Sequence, residues 1–179
     1  MLMRIKNKLI NMNLYFKYRN VKDIKINKKN KLYYKAEFDL SKKSNVIINE
    51  GLILKKNISI RCRDNATLII GKNVYFNNNC ILTCRNKIII GNDVSIGPNV
   101  CIFDHDHDYK AIDRKHSFIT GEIKIDDNVW IGASAIILRG AHIGKNCVIA
   151  AGAIVNCDVP DNTIFISKNK FKKIGESNE

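Results

Sequence analysis

The densest group of reactive side chains is Phe103-Asp-His-Asp-His-Asp-Tyr. Imidazole is the side chain that exchanges protons near neutral pH without special help. Beside a carboxylate it can be held in one tautomer and act as a general base. His105 and His107 are therefore candidate bases, with Asp104, Asp106 or Asp108 as candidate orienting groups. His-x-His flanked by carboxylates also has the chemistry of a zinc site. In that reading His116 and His142 are the remaining histidines able to join as ligands. The bland alternative is a solvated polar loop.

A base is useful only when something rigid holds it. From Ile48 onward an apolar residue recurs at every sixth position: Ile48, Leu54, Ile60; Ile70, Phe76, Leu82; Ile90, Ile96, Ile102; Ile125, Ile131, Ile137; and Ile143, Ile149, Val155. A small or branched residue stands four places later at Val74, Cys80, Val94, Val100, Val129, Ala135, Ala141, Cys147 and Ala153. This period fits neither an α-helix at 3.6 nor a strand at 2. It fits a chain that turns a corner every six residues, three such segments closing one triangular coil. A single coil cannot bury its own inner face, so several must stack as parallel strands. The expected fold is all-β, a parallel β-helix over 46–160. Gly71, Gly91, Gly97, Gly132 and Gly144 are expected to give the turns backbone freedom.

Extra residues fall only after the third segment of a coil. They are few between Ile60 and Ile70 or between Leu82 and Ile90, and many between Ile102 and Ile125. The long insertion, residues 103–124, is a protruding arm that opens with the histidine cluster. Loops this long in a compact domain are usually functional.

Formal net charge is +13, and residues 1–45 carry most of it, with thirteen Lys and Arg against three acids. A basic surface suits nucleic acid or anionic lipid. Here the excess lies outside the repeats, so a solvated basic segment is expected and no nucleic-acid partner. Leu2, Ile5, Leu9, Met12 and Phe16 have helical spacing. They suggest a short helix docked on the open end of the prism, with weak contact to an acidic membrane surface as a second use. No apolar run approaches the ~20 residues of a membrane helix, and the N-terminus lacks a secretory pattern, so the expected compartment is the cytoplasm. The six cysteines form no C-x-x-C pair. They read as reduced, small apolar residues. A basic tail, 161–179, follows the repeats.

Ile90-Gly-Asn-Asp-Val-Ser-Ile-Gly-Pro-Asn-Val, the His-bearing arm, Ile125-Asp-Asp-Asn-Val-Trp-Ile-Gly and Gly140-Ala-His-Ile-Gly together resemble the hexapeptide-repeat O-acetyltransferases. Within that family the likeness is to the maltose, galactoside and surface-polysaccharide branch, over about Ile48 to Val159. The resemblance implies a left-handed β-helix and a homotrimer with active sites between neighbouring prisms. It implies acetyl-CoA as co-substrate and a sugar hydroxyl as acceptor, on a cell-envelope polysaccharide precursor. His107 matches the family's base, and His105 falls two residues early. Asn77, in Asn77-Asn-Asn-Cys, matches an acceptor-holding asparagine, with Asp104 and Trp130 also assigned to the acceptor side. Trp130, Ala133 and Ala151 match positions along the coenzyme. Asn156-Cys157 departs from a usual Thr-Lys pair, and Lys168-Asn-Lys-Phe-Lys from the usual tail. Lys168, Lys170 and Lys172 are then the candidate cations for the coenzyme's 3′-phosphate. Two other readings stay open: a metal-dependent hydratase like the gamma-type carbonic anhydrases, and a non-catalytic β-helix acting as an assembly partner.

Overall fold

The computed structural model describes residues 12–33 and 36–166. Its short strands wind into three parallel sheets. The first sheet stacks β1 (Ile24–Ile26), β4 (Asn45–Ile48), β7 (Thr67–Ile70), β10 (Lys87–Ile90), β15 (Ile123–Ile125) and β18 (His142–Ile143). The second stacks β2 (Lys31–Leu32), β5 (Ile53–Leu54), β8 (Tyr75–Phe76), β11 (Ser95–Ile96), β16 (Trp130–Ile131), β19 (Val148–Ile149) and β21 (Ile164–Phe165). The third stacks β3 (Ala36–Leu40), β6 (Ile58–Cys62), β9 (Ile81–Cys84), β12 (Cys101–Phe103), β17 (Ile136–Leu138) and β20 (Ile154–Val155). The chain passes through the sheets in turn, so each circuit is one triangular coil. The corners after the first, second and third sheets are named in that order below.

Every apolar position of the six-residue repeat is buried, from Ile48 to Val155, and so is every small residue four places on. Burial of each such aliphatic side chain contributes about 1.5–3 kcal/mol. In-register stacking, such as Ile70 on Ile90 on Ile125, builds continuous columns through the core.

The coil starts earlier than its predicted boundary. Ile26, Leu32 and Phe38 stack on Ile48, Leu54 and Ile60, so residues 24–33 and 36–40 belong to a further coil inside the segment expected to be a basic N-terminal one. Lys25, Lys28, Lys29 and Lys31 point outward from it. At the other end Ile164–Phe165 pairs with β19, which takes the coil beyond residue 160. A helix at 12–18 precedes β1. Its docked side chains are Tyr18, which is buried, and Leu14, while Met12 and Phe16 of the expected docking face are exposed. The Tyr18 hydroxyl accepts the Leu40 N–H at 3.2 Å and so ties the helix to the first coil. Leu2, Ile5, Leu9, Lys168, Lys170 and Lys172 lie outside the described residues. Among the described residues no helix is long and apolar enough to cross a membrane.

The glycines do something other than expected. Gly71, Gly91, Gly97, Gly132 and Gly144 do not have left-handed backbones. They are glycine because the next coil is too close: a Cβ on Gly71 would lie 2.3 Å from the Gly91 carbonyl oxygen. Most left-handed positions belong to asparagine, among them Asn57, Asn79 and Asn99 at the second corner and Asn73, Asn128 and Asn146 at the first, with Asp93 beside them; Gly51, Gly140 and Gly152 are the left-handed glycines. Asparagine tolerates that conformation better than other side chains. It also bonds along the stack, Asn57 to Asn79 at 3.0 Å and Asn79 to Asn99 at 3.2 Å. Asn128 continues the first-corner ladder to Asn146 at 2.9 Å.

Candidate active site

The arm leaves the third corner between the fourth and fifth coils. It is an antiparallel hairpin of β13 (His105–His107) and β14 (Phe118–Thr120), with His107 opposite Phe118. Asp104 fixes its root. The carboxylate is fully buried and accepts the Arg85 N–H at 2.9 Å and the Asn86 N–H at 2.7 Å, both from the corner of the coil below. Its Oδ1 also meets His105 Nδ1 at 3.0 Å. Asp104 was expected to touch the acceptor; its burial removes it from reach and makes it the anchor of the arm. Arg139 Nε donates to Asp106 at 2.6 Å and clamps the arm to the corner above.

The two histidines differ in environment. The His105 side chain is 14% exposed and wedged between Phe103 and Phe118. His107 is exposed. Its Nδ1 lies 2.8 Å from the Arg114 carbonyl oxygen. A carbonyl can only accept, so the proton resides on Nδ1 and the Nε2 lone pair faces outward. Phe118 supports the ring at a centroid distance of 4.6 Å. Such a histidine can take a proton from a hydroxyl.

His116 and His142 are elsewhere. His116 bonds Asp113 on the arm at 2.9 Å. His142 Nε2 bonds Asp126 at 3.0 Å on the outer side of the first sheet, where Lys124 also meets Asp126 at 2.9 Å. Burial works to raise the Asp126 pKa, but Lys124 and His142 outweigh it and hold the carboxyl below its usual range. Among the described residues no three His, Cys, Asp or Glu side chains converge as metal ligands.

The remaining candidates sit on other edges of the prism. Asn77, Ala133 and Ala151 are at the second corner, and Trp130 projects from the second sheet with 58% exposure. Asn77 Oδ1 accepts the Asn78 N–H at 2.8 Å, which closes its own turn. A column of backbone positions runs up this corner. In the lower coils the Lys56 and Asn78 N–H groups are taken by asparagine side chains, and Pro98 has no N–H. Above them the N–H groups of Ala133 and Ala151 have no partner among the described residues. Two unfilled donors, small side chains and an exposed Trp130 form a strip that suits an extended amide-bearing ligand such as pantetheine. One prism does not bring this strip to the arm, because a face of the triangle separates their corners.

Residues 122–157 match the bacterial transferase hexapeptide family, described as six repeats. Over those residues the likeness is to the hexapeptide repeat of bacterial transferases. The galactoside O-acetyltransferase of Lactococcus lactis subsp. lactis is 41% identical over 95 residues, 52% of this chain and 46% of that protein. The chain spans about half the length of the curated relatives it matches. A variant of AntD, an N-acyltransferase from Bacillus cereus solved with dTDP-4-amino-4,6-dideoxyglucose and coenzyme A, has a TM-score of 0.67 at 13% identity, covering 88% of this chain and 87% of that one. A hexapeptide-repeat acetyltransferase of Vibrio cholerae complexed with acetyl coenzyme A gives a TM-score of 0.50 at 24% identity, covering 74% and 64%. Those likenesses show the fold.

Reasoning on the sequence missed several parts of this candidate site: the Asp104 anchor, the Arg139–Asp106 clamp and the packing of Arg85 on Phe118. The Asp-rich arm was visible, but not the arginines it meets. Their pairing depends on how the hairpin folds back, which spacing does not specify.

Proposed function

We propose that the chain moves an acetyl group from acetyl-CoA to a hydroxyl of a sugar, with His107 as general base. The observation that carries this is the exposed His107 ring, held through Nδ1 by the Arg114 carbonyl so that Nε2 is free to accept. The coenzyme supplies an activated thioester. His107 Nε2 takes the hydroxyl proton as that oxygen attacks, and gives it to the departing thiolate. His105 keeps the arm in shape rather than reacting. Ala133 and Ala151 offer N–H groups to the pantetheine amides, and Trp130 covers the strip they form. Asn77 faces the acceptor. Galactoside O-acetyltransferase among the relatives supports a saccharide acceptor, of the kind built into cell-envelope polysaccharides in the cytoplasm.

The reading needs a homotrimer, since the arm and the coenzyme strip lie on different corners of one prism. An apolar row supports it. Ile81, Cys101, Ile136 and Ile154 stack in register on the outside of the third sheet, Ile81 at 37% and Ile154 at 52% exposure. Packing that face against a neighbour brings an arm beside the neighbour's strip.

The test follows thiol release with saturating acetyl-CoA and an accepted sugar. His107→Ala should lower turnover by roughly 10²- to 10⁴-fold with coenzyme affinity little changed. His105→Ala should do less. Near-normal turnover in His107→Ala removes the mechanism, and light scattering that reports a monomer removes the shared site.

A further inference from the structure

Three arginines stand along the third corner beneath and beside the arm: Arg63, Arg85 and Arg139. Two of them hold carboxylates, Arg63 with Asp39 at 2.7 Å and Arg139 with Asp106 at 2.6 Å. Arg85 holds none. Its backbone is fixed by the Asp104 carboxylate, and its guanidinium carbon lies 3.6 Å from the centroid of the Phe118 ring. That same ring supports the His107 imidazole. The guanidinium and the proposed base are thus no further apart than their two contacts with one aromatic ring allow, about the width of a sugar residue.

Arg85 Nε is buried and has no hydrogen-bond partner. The nearest carboxylate, Asp104, is saturated by two backbone N–H groups and His105. Burial lowers the pKa of Arg85, as does Arg63 nearby, against the opposing charge of Asp104, and the arginine remains charged at neutral pH. A buried guanidinium N–H without an acceptor is costly unless a ligand completes it. The planar fork of a guanidinium matches the two oxygens of a carboxylate or phosphate.

We propose that Arg85 makes the acceptor site selective for an acidic sugar, one that bears a carboxylate or phosphate within a residue's width of the acylated hydroxyl. This rests on the acyl-transfer reading above and narrows its acceptor. The phosphates of the coenzyme are poor candidates for the same contact. They lie a pantetheine's length from the thioester, whereas Arg85 shares its supporting ring with the base.

The experiment compares glucuronic acid, glucose 1-phosphate and glucose as acceptors in thiol-release kinetics, with the full chain and with Arg85→Gln. The native chain should favour an acidic acceptor over glucose in kcat/KM, and which acid wins separates carboxylate from phosphate recognition. In Arg85→Gln the acidic-over-neutral ratio should fall by roughly 30-fold or more, through KM for the acid. Arg85→Lys should recover part of it. An unchanged ratio, including an equal loss on every acceptor, overturns the proposal and leaves Arg85 as a support for Phe118. A preference for glucose in the native chain overturns it too, as does a rise confined to the KM of acetyl-CoA. If no acceptor is acetylated, the acyl-transfer reading fails first, and saturation-transfer NMR of glucuronic acid and glucose 1-phosphate decides this one. Binding of either acid to the native chain that Arg85→Gln abolishes sustains the anion site; absence of binding ends it.

Discussion

Removing the Asp104 carboxylate should loosen the arm and the fold together. Asp104 Oδ2 accepts Asn86 N–H at 2.7 Å and Arg85 N–H at 3.0 Å, while Oδ1 accepts His105 Nδ1 at 3.0 Å. Asp104→Ala would leave two backbone donors in a place no water reaches freely. Each orphaned donor costs about 1–3 kcal/mol, with more for the charge-assisted bonds lost. A total near 4 kcal/mol is expected, equivalent to a fall in Tm of roughly 10 °C for a chain of this size. Asp104→Asn keeps one acceptor oxygen and should lose about half as much. Urea melts at a fixed protein concentration measure both, and thiol release on the same samples measures the arm. Activity should fall further than stability explains, because His105 and the hairpin lose their root. The reasoning fails if Asp104→Ala melts within 1 kcal/mol of the native chain, or if Asn and Ala cost the same.

Other substitutions separate the reasons behind the turns. Gly71→Ala would put a Cβ 2.3 Å from a backbone oxygen of the next coil, whereas Gly152→Ala, at φ +70 with nothing within 4 Å, meets only backbone strain. Thermal melts should show Gly71→Ala as severe and Gly152→Ala as a loss of about 1–2 kcal/mol. Asn79→Gly should keep the left-handed turn and lose only ladder bonds, while Asn79→Val should lose both; equal melting points would deny the turn its role. Because the folded Asp126 pKa is held below its unfolded value of about 4, its contribution is present above that pH and fades as pH falls through the folded value. Stability measured between pH 2 and 5 should therefore rise less steeply with pH in Asp126→Asn, and an unchanged slope would sink the assignment.

The core was legible because a period of six leaves no other regular structure to choose. The first coil obeys it too, at Ile26, Leu32 and Phe38, but lies among lysines and has Asn30 where the first corner of later coils carries an apolar residue. Charge density there says only which way the side chains point. The turn chemistry was legible in part. Glycine and asparagine both recur at corners, and spacing alone does not tell a site that lacks room for a Cβ from one that needs a positive φ. Of the candidate site, the histidine cluster and the arm that carries it were readable. The partner of His107, the Arg114 carbonyl, and the burial that separates His105 from His107 arise only when the arm folds back on itself. The same holds for Arg85 and Phe118, which meet across that fold.

The arm also bears on how the chain assembles. Most stacked corners join residues about 20 apart, as Asn73 with Asp93, whereas the stack across the arm joins Asn92 and Asp127, 35 apart. Loop-closure entropy grows only with the logarithm of length, so the longer excursion costs about half a kcal/mol more. Once the flanking coils and the Asp104 root are in place, the stack is blind to what lies further out, between His107 and Phe118. Length and composition there can change at little thermodynamic penalty, while a single methyl added at Gly71 cannot be absorbed. A coil of this kind is therefore a rigid reel on which one loop can be rewritten without renegotiating the fold.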